Sequence, residues 1–138
     1  MTHTPNNITS SSVRIIIADD HDWVREVTRS ILNSEPDLRI IDEAKDGQET
    51  IDLCRLQCPE VVLMDARMPK MNGLEATQMI KEELPTTKVL IVSAYEDPLF
   101  ISEAVRAGAD GYVRKLSLVQ ELVGAIRGCF GASLITHE

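Results

Sequence analysis

Five short apolar runs rich in β-branched residues recur at nearly even spacing along the 138-residue chain: Val13–Ala18, Leu38–Ile41, Val61–Met64, Val89–Val92 and the shorter Gly111–Val113. Segments of helical period lie between and after them. Asp22–Leu32 places Val24, Val27 and Ile31 on one face, and Gly47–Gln57 offers Ile51, Cys54 and Leu56. Gly73–Leu84 offers Leu74, Met79, Ile80 and Leu84, and Pro98–Ala107 offers Ile101, Ala104 and Val105. Leu118–Phe130 carries a stripe of Leu118, Leu122, Val123, Ile126 and Phe130. Pro36, Pro59 and Pro85 precede strands 2, 3 and 4, and Gly108 closes the fourth helix. Strands that are apolar throughout belong to parallel sheets covered on both faces. Alternation with helices then gives right-handed βαβ units. The chain therefore reads as α/β, a (βα)5 three-layer sandwich in one domain.

The charge balance narrows the function. Fourteen Lys and Arg against 22 Asp and Glu give a net charge of −8, a surface that repels phosphate backbones. Two Phe, two Tyr and one Trp leave the core aliphatic and offer no stacking platform for bases. No apolar run approaches the ~20 residues of a membrane span, so no membrane partner is expected. Residues 1–12 read as a polar, disordered leader without a signal peptide's apolar stretch. Asn7-Ile8-Thr9 matches a glycosylation acceptor, without meaning in a protein that is not secreted. Cys54, Cys58 and Cys129 suit neither a zinc site nor a disulfide framework, and Cys54 and Cys58, four apart in a helical pattern, read as buried or half-buried thiols of a reducing cytoplasm.

The chemistry lies where the apolar runs stop. The first ends in Asp19-Asp20, the third in Asp65, the fourth in Ser93, and the fifth leads to Lys115. In open α/β sheets the carboxyl ends of the strands share one edge, and ligands bind there. Asp22 reads as a helix cap. Two carboxylates ~4 Å apart repel by about 4 kcal/mol at an effective dielectric of 20, so three in one crevice need compensation. Proton uptake would supply it, but a hard divalent cation is the better fit, since Mg²⁺ prefers oxygen ligands and keeps open positions. Lys115 then offers a point charge to phosphoryl oxygens and Ser93 a hydroxyl. A carboxylate is itself a nucleophile and forms an aspartyl-phosphate without a general base; Asp65, alone at its strand end, is the candidate. His21 adjoins the acids, but imidazole gains little from Mg²⁺ and is expected to stay out of the ligand set.

With ADDH at 18–21, MDARMPKMNG at 64–73, VSAYED at 92–97 and GYVRK at 111–115, the chain resembles the receiver domains of two-component response regulators over about Val13 to Phe130. ADDHDWVRE and ELVGAIRGCFGAS resemble most the NarL/LuxR-type subgroup. The resemblance implies a doubly wound five-stranded parallel sheet of order 2-1-3-4-5, the flavodoxin-like or CheY-like sandwich. It divides the chain into a leader (1–12), a receiver (13–131) and a tail or linker start (132–138). It makes Asp65 the phosphoacceptor from a phosphohistidine on a sensor histidine kinase. Mg²⁺ would be held by Asp20, by Asp19 mainly through water, by Asp65 and by the backbone carbonyl of Arg67. Ser93 would be the switch hydroxyl, and Ala94 would leave the phosphoryl site open. Lys115 would pair with the phosphoryl oxygens. Tyr112 would be either the switch aromatic or plain core filling. Tyr95, Leu99, Phe100 and Leu116 would either face a partner or pack within the domain. The Arg67 side chain would either tune hydrolysis of the aspartyl-phosphate or lie on the surface.

One departure stands out: the family often has a cis proline after the lysine, and here Leu116 follows Lys115. A cis bond to a non-proline costs ~2.5–4 kcal/mol, so the loop is free to hold Lys115 differently. A phosphatase of the haloacid dehalogenase type would want a second acid where Arg67 stands. A flavodoxin would want a phosphate-friendly loop where Asp19-Asp20-His21-Asp22 stands, and a degenerate receiver would lack acids that are present here. The chain is thus expected to be no enzyme beyond its own phosphorylation and dephosphorylation. Transcription is the expected output, through a helix-turn-helix domain outside this chain, the only route to DNA. The alternative is a stand-alone receiver acting on proteins. A homodimer, through the first and fifth helices or the switch face, is a further expectation.

Overall fold

The computed structural model describes residues 12–94 and 98–130. The Asn7-Ile8-Thr9 match, Tyr95, the tail and all of the leader but Ser12 lie outside the described residues. In chain order the elements are β1 (Val13–Ala18), α1 (Asp22–Asn33), β2 (Leu38–Ala44), α2 (Gly47–Gln57), β3 (Val61–Asp65) and α3 (Gly73–Glu83). They continue with β4 (Lys88–Ser93), α4 (Pro98–Arg106), β5 (Gly111–Arg114), a 3₁₀ turn (Lys115–Ser117) and α5 (Leu118–Gly128). The strands pair in parallel in the order β2-β1-β3-β4-β5, as expected.

Alternation along the central strands feeds two cores. Ile15 and Ile17 of β1 join Leu63, Leu90, Val24, Leu32, Leu122 and Ile126 under α1 and α5. Ile16 and Ala18 point the other way and join Val62, Met64, Ile51, Cys54, Ile80 and Ala104 under α2, α3 and α4. β2 runs three residues past its expected end at Ile41, because an edge strand need not be apolar on both faces. Ile15 pairs with Ile40 but Ile16 with Asp42, so Ile41 is an extra residue that shifts the register.

Several local expectations change. The N-cap of α1 is His21 rather than Asp22; Asp22 is the first helical residue, and its carboxylate pairs with Arg25. An acid in the first turn still complements the helix dipole. The side chains of Asp46 and Asn72 cap α2 and α3, accepting the backbone N–H of Glu49 at 2.8 Å and of Glu75 at 2.9 Å. Cys58 is exposed rather than buried or half-buried: it caps α2 at its C-terminal end, in the left-handed region (φ 47°). Leu56, counted toward the apolar face of α2, is 79% exposed. Among the described residues no helix is long and apolar enough to cross a membrane.

Candidate functional site

The parallel order puts the ends of β1, β3, β4 and β5 on one edge, and the expected acids meet there. β1 and β3 are hydrogen-bonded neighbours, with Ala18 opposite Met64, so Asp19 and Asp65 each stand one residue beyond a paired position. Both acids are buried, at 2% and 5% exposure. Asp20 and His21 sit at the mouth, more exposed than the two buried acids. One ligand atom from each of Asp19, Asp20, His21 and Asp65 lies within 4.8 Å of all the others, the spread of a coordination shell.

Lys115 crosses from the end of β5 to the same point. Its Nζ lies 3.1 Å from Asp19 Oδ2 and 3.4 Å from Asp65 Oδ1. No peptide bond among the described residues is cis, and the Lys115–Ser117 turn delivers the ammonium to the acids with leucine in the following position. The departure from the family's proline therefore does not remove the lysine from the site.

Asp65 is strongly perturbed by this setting. Its Oδ1 accepts the backbone N–H of Arg67 at 3.3 Å, while its Oδ2 is buried with no hydrogen-bond partner. Burial first, then the charge of Asp19, push its carboxyl up from 3.8 to about 7; Lys115 and the Arg67 N–H pull it back only in part. A buried carboxylate oxygen without a partner is costly, and a cation or a phosphoryl group at this point would remove the cost.

Tight chain packing holds Asp65 in place. A Cβ on Gly73 would fall 2.0 Å from the carbonyl oxygen of Asp65 and 2.9 Å from the Cα of Ala66. The Gly73 N–H in turn donates to Ala66 O at 2.8 Å. Only glycine lets α3 start this close behind the acidic strand end.

His21, expected to adjoin the acids but to stay out of the ligand set, lies against both of them. Its backbone N–H donates to Asp19 Oδ1 at 2.9 Å, and its Nδ1 lies 3.1 Å from that oxygen and 3.3 Å from Asp20 Oδ1. The extended conformation of this N-cap residue sets its ring over the preceding acids. Ser93 is buried at the end of β4, one residue beyond Val92, the partner of Asp65. Ala94 is exposed beyond it, as is Arg67 in the β3–α3 loop. Tyr112 pairs with Ile91 across β4–β5 and is half-buried; its ring meets Phe100 edge-on, centroids 6.3 Å apart. Leu99 and Leu116 are exposed, at 69% and 87%, so the apolar switch-face set divides between solvent and packing.

The chain matches the family described as the response regulator receiver domain over residues 15–127. It is 40% identical over 115 residues to the uncharacterized transcriptional regulatory protein YxjL of Bacillus subtilis, covering 83% of this chain and 53% of that protein. It is 39% identical over 116 residues to the oxygen regulatory protein NreC of Staphylococcus carnosus, covering 83% and 54%. The chain thus spans about half the length of the curated relatives it matches. A two-component response regulator of the LuxR family from Aurantimonas superposes with a TM-score of 0.81 at 36% identity, covering 91% of this chain and 87% of that one. The signal receiver domain of the putative response regulator NarL from Mycobacterium tuberculosis gives 0.83 at 32% identity, covering 88% and 98%.

Proposed function

The chain belongs to the response regulator receiver domain family, and from that premise we propose that Asp65 accepts a phosphoryl group from a phosphohistidine of a sensor histidine kinase, with Mg²⁺ held by the acids around it. The observation that carries this reading is the buried, unpartnered Oδ2 of Asp65 beside a second buried acid. The donor set fits the ion: one carboxylate oxygen each of Asp19, Asp20 and Asp65 lies within 4.8 Å of the others, and Mg²⁺ takes oxygen ligands and keeps water; the backbone carbonyl of Arg67 would be a further ligand. Bound there, Mg²⁺ would neutralise the acids and orient phosphoryl oxygens for in-line transfer.

The rest is the work of side chains. Asp65 Oδ2 attacks phosphorus; the P–N bond to the donor imidazole breaks as the P–O bond forms. No base is needed, because the attacking oxygen carries no proton in its ionised form. Lys115 is already at the acids and has only to turn toward the new phosphoryl oxygens. Ser93, at the end of the neighbouring strand, offers them its hydroxyl, and exposed Ala94 leaves their approach open. Phosphorylation adds about −1.5 to −2 charges at this point. Movement of Ser93 and Tyr112 would pass that change to the α4–β5–α5 face, where Leu99 and Leu116 are exposed.

Incubation with acetyl phosphate and Mg²⁺, resolved on a phosphate-affinity gel, tests the chemistry. One shifted band is expected for the wild type, and none in EDTA or in Asp65→Asn. A band that persists in Asp65→Asn would overturn the assignment. The relatives' names as transcriptional regulators support a further step, in which the phosphorylated receiver controls transcription through a DNA-binding segment of a longer protein. Phosphorylation raising operator affinity in such a protein is the expected outcome; unchanged affinity would favour a receiver acting on other proteins.

A further inference from the structure

We propose that Arg25 is a positioning residue for cation binding: its buried guanidinium holds the Asp19–Asp22 turn against β2, so that the Asp19 and Asp20 carboxylates are set before an ion arrives. The inference rests on the reading that these acids bind a divalent cation. Arg25 is 6% exposed, although it lies in the first turns of a surface helix. Burying a guanidinium costs several kcal/mol unless every donor finds a partner, and the partners here all belong to the site's own turn or its anchor. Nη1 donates to the carbonyl oxygen of Asp19 at 2.5 Å, Nη2 pairs with the Asp22 carboxylate, and Nε lies 3.3 Å from Glu43 Oε1 on β2. Glu43 is itself fixed by Arg29 at 2.6 Å. The Asp19 N–H donates to Ala44 O at 3.0 Å. Asp19, whose carboxylate faces Lys115 and His21, is thus pinned at both its amide and its carbonyl.

The fork geometry matters as much as the charge. A lysine at this position keeps one positive charge toward Glu43, but its single nitrogen cannot span partners that the three nitrogens of the planar guanidinium reach on Asp19, Asp22 and Glu43. Groups that orient metal ligands typically cost about 10- to 100-fold in metal affinity when removed. Mg²⁺ titrated into metal-free protein, by calorimetry and by the emission of Trp23, the chain's single tryptophan, reads that loss directly. Arg25→Gln is expected to raise the Mg²⁺ Kd about tenfold or more, with Arg25→Lys intermediate. Arg127→Gln is the control: Arg127 pairs with Glu35 at 2.9 Å and Asp37 at 3.0 Å, away from the acids, and its loss should lower the melting temperature with Kd unchanged. A wild-type Kd in Arg25→Gln together with a lowered melting temperature would reduce Arg25 to a structural role and overturn the inference. If Arg25→Gln does not fold, a wild-type Kd in Arg25→Lys does the same. A wild type that binds no Mg²⁺ overturns the underlying reading and this inference with it, whereas an effect-free Arg25 beside a binding wild type overturns this inference alone.

Discussion

The two ends of the sheet treat polar groups in opposite ways. At the amino edge charges are matched. Lys81 Nζ donates to Pro85 O at 3.1 Å, Thr87 O at 2.9 Å and Asp110 Oδ2 at 2.9 Å, and that same Asp110 oxygen accepts the Val89 N–H at 2.9 Å. Thr87 Oγ1 donates to Pro59 O at 2.8 Å, and Arg14 binds Glu60 Oε1 at 3.1 Å and Gln57 O at 2.9 Å. At the carboxyl edge Asp19 and Asp65 are buried beside Lys115, and Asp65 Oδ2 has no hydrogen-bond partner. One edge is finished by the fold; the other needs something the chain does not supply. Stability and function are therefore separable by mutation.

The largest expected effect is at the finished edge. Lys81→Met strips two carbonyls and Asp110 of their cation, and leaving three part-buried acceptors without their donor costs up to about 3 kcal/mol. Chemical denaturation should show that loss while the Mg²⁺ Kd stays within twofold (about 0.4 kcal/mol); a change in Kd would mean the two edges are not independent. Next comes Gly73→Ala, where a new methyl meets the backbone of Asp65 and Ala66. A loss of about 2 kcal/mol is expected, and unlike Lys81→Met it should also weaken Mg²⁺ binding, because the strained backbone carries Asp65. An unaffected Kd would break the link between that close approach and the site. Smallest is Asn72→Ala, which removes the α3 cap for about 1 kcal/mol in the same denaturation assay, with little effect on the acids.

Most of the fold was legible because strand spacing and unbroken apolar runs are properties of sequence. The site was legible for the same reason: Asp19, Asp65, Ser93 and Lys115 are where apolar strands stop, and a parallel sheet puts those stops on one edge. Helix faces were less legible. Val27 and Ile31 of α1 are only half-buried, while Thr28 is buried, its hydroxyl returned to Val24 O at 2.7 Å. Thr77 does the same with Gly73 O at 2.7 Å. Apolar periodicity cannot find a threonine that satisfies itself on its own helix, nor a buried arginine such as Arg25 whose partners are the Asp19 carbonyl, Asp22 and Glu43 of β2. The approach of the His21 ring to Asp19 and Asp20 was not legible either, because it depends on the extended backbone of the α1 N-cap and not on residue type.

The contrast between the edges also has a pH signature. The folded state holds a proton on Asp65 up to about 7, whereas a carboxyl at the ordinary value of 3.8 releases it far earlier. Between those values folding takes up a proton, so this group's contribution is greatest at low pH and is lost as pH rises through about 7. The most direct measurement is the thermal stability of metal-free wild type and Asp65→Asn at pH 8 and pH 5, with and without Mg²⁺. At pH 8 in EDTA the variant should be the more stable by about 2 kcal/mol, and the gap should shrink at pH 5. Mg²⁺ should raise the wild type far more than the variant. An Asp65→Asn protein that is less stable than wild type in EDTA at pH 8, or that responds equally to Mg²⁺, would contradict the account.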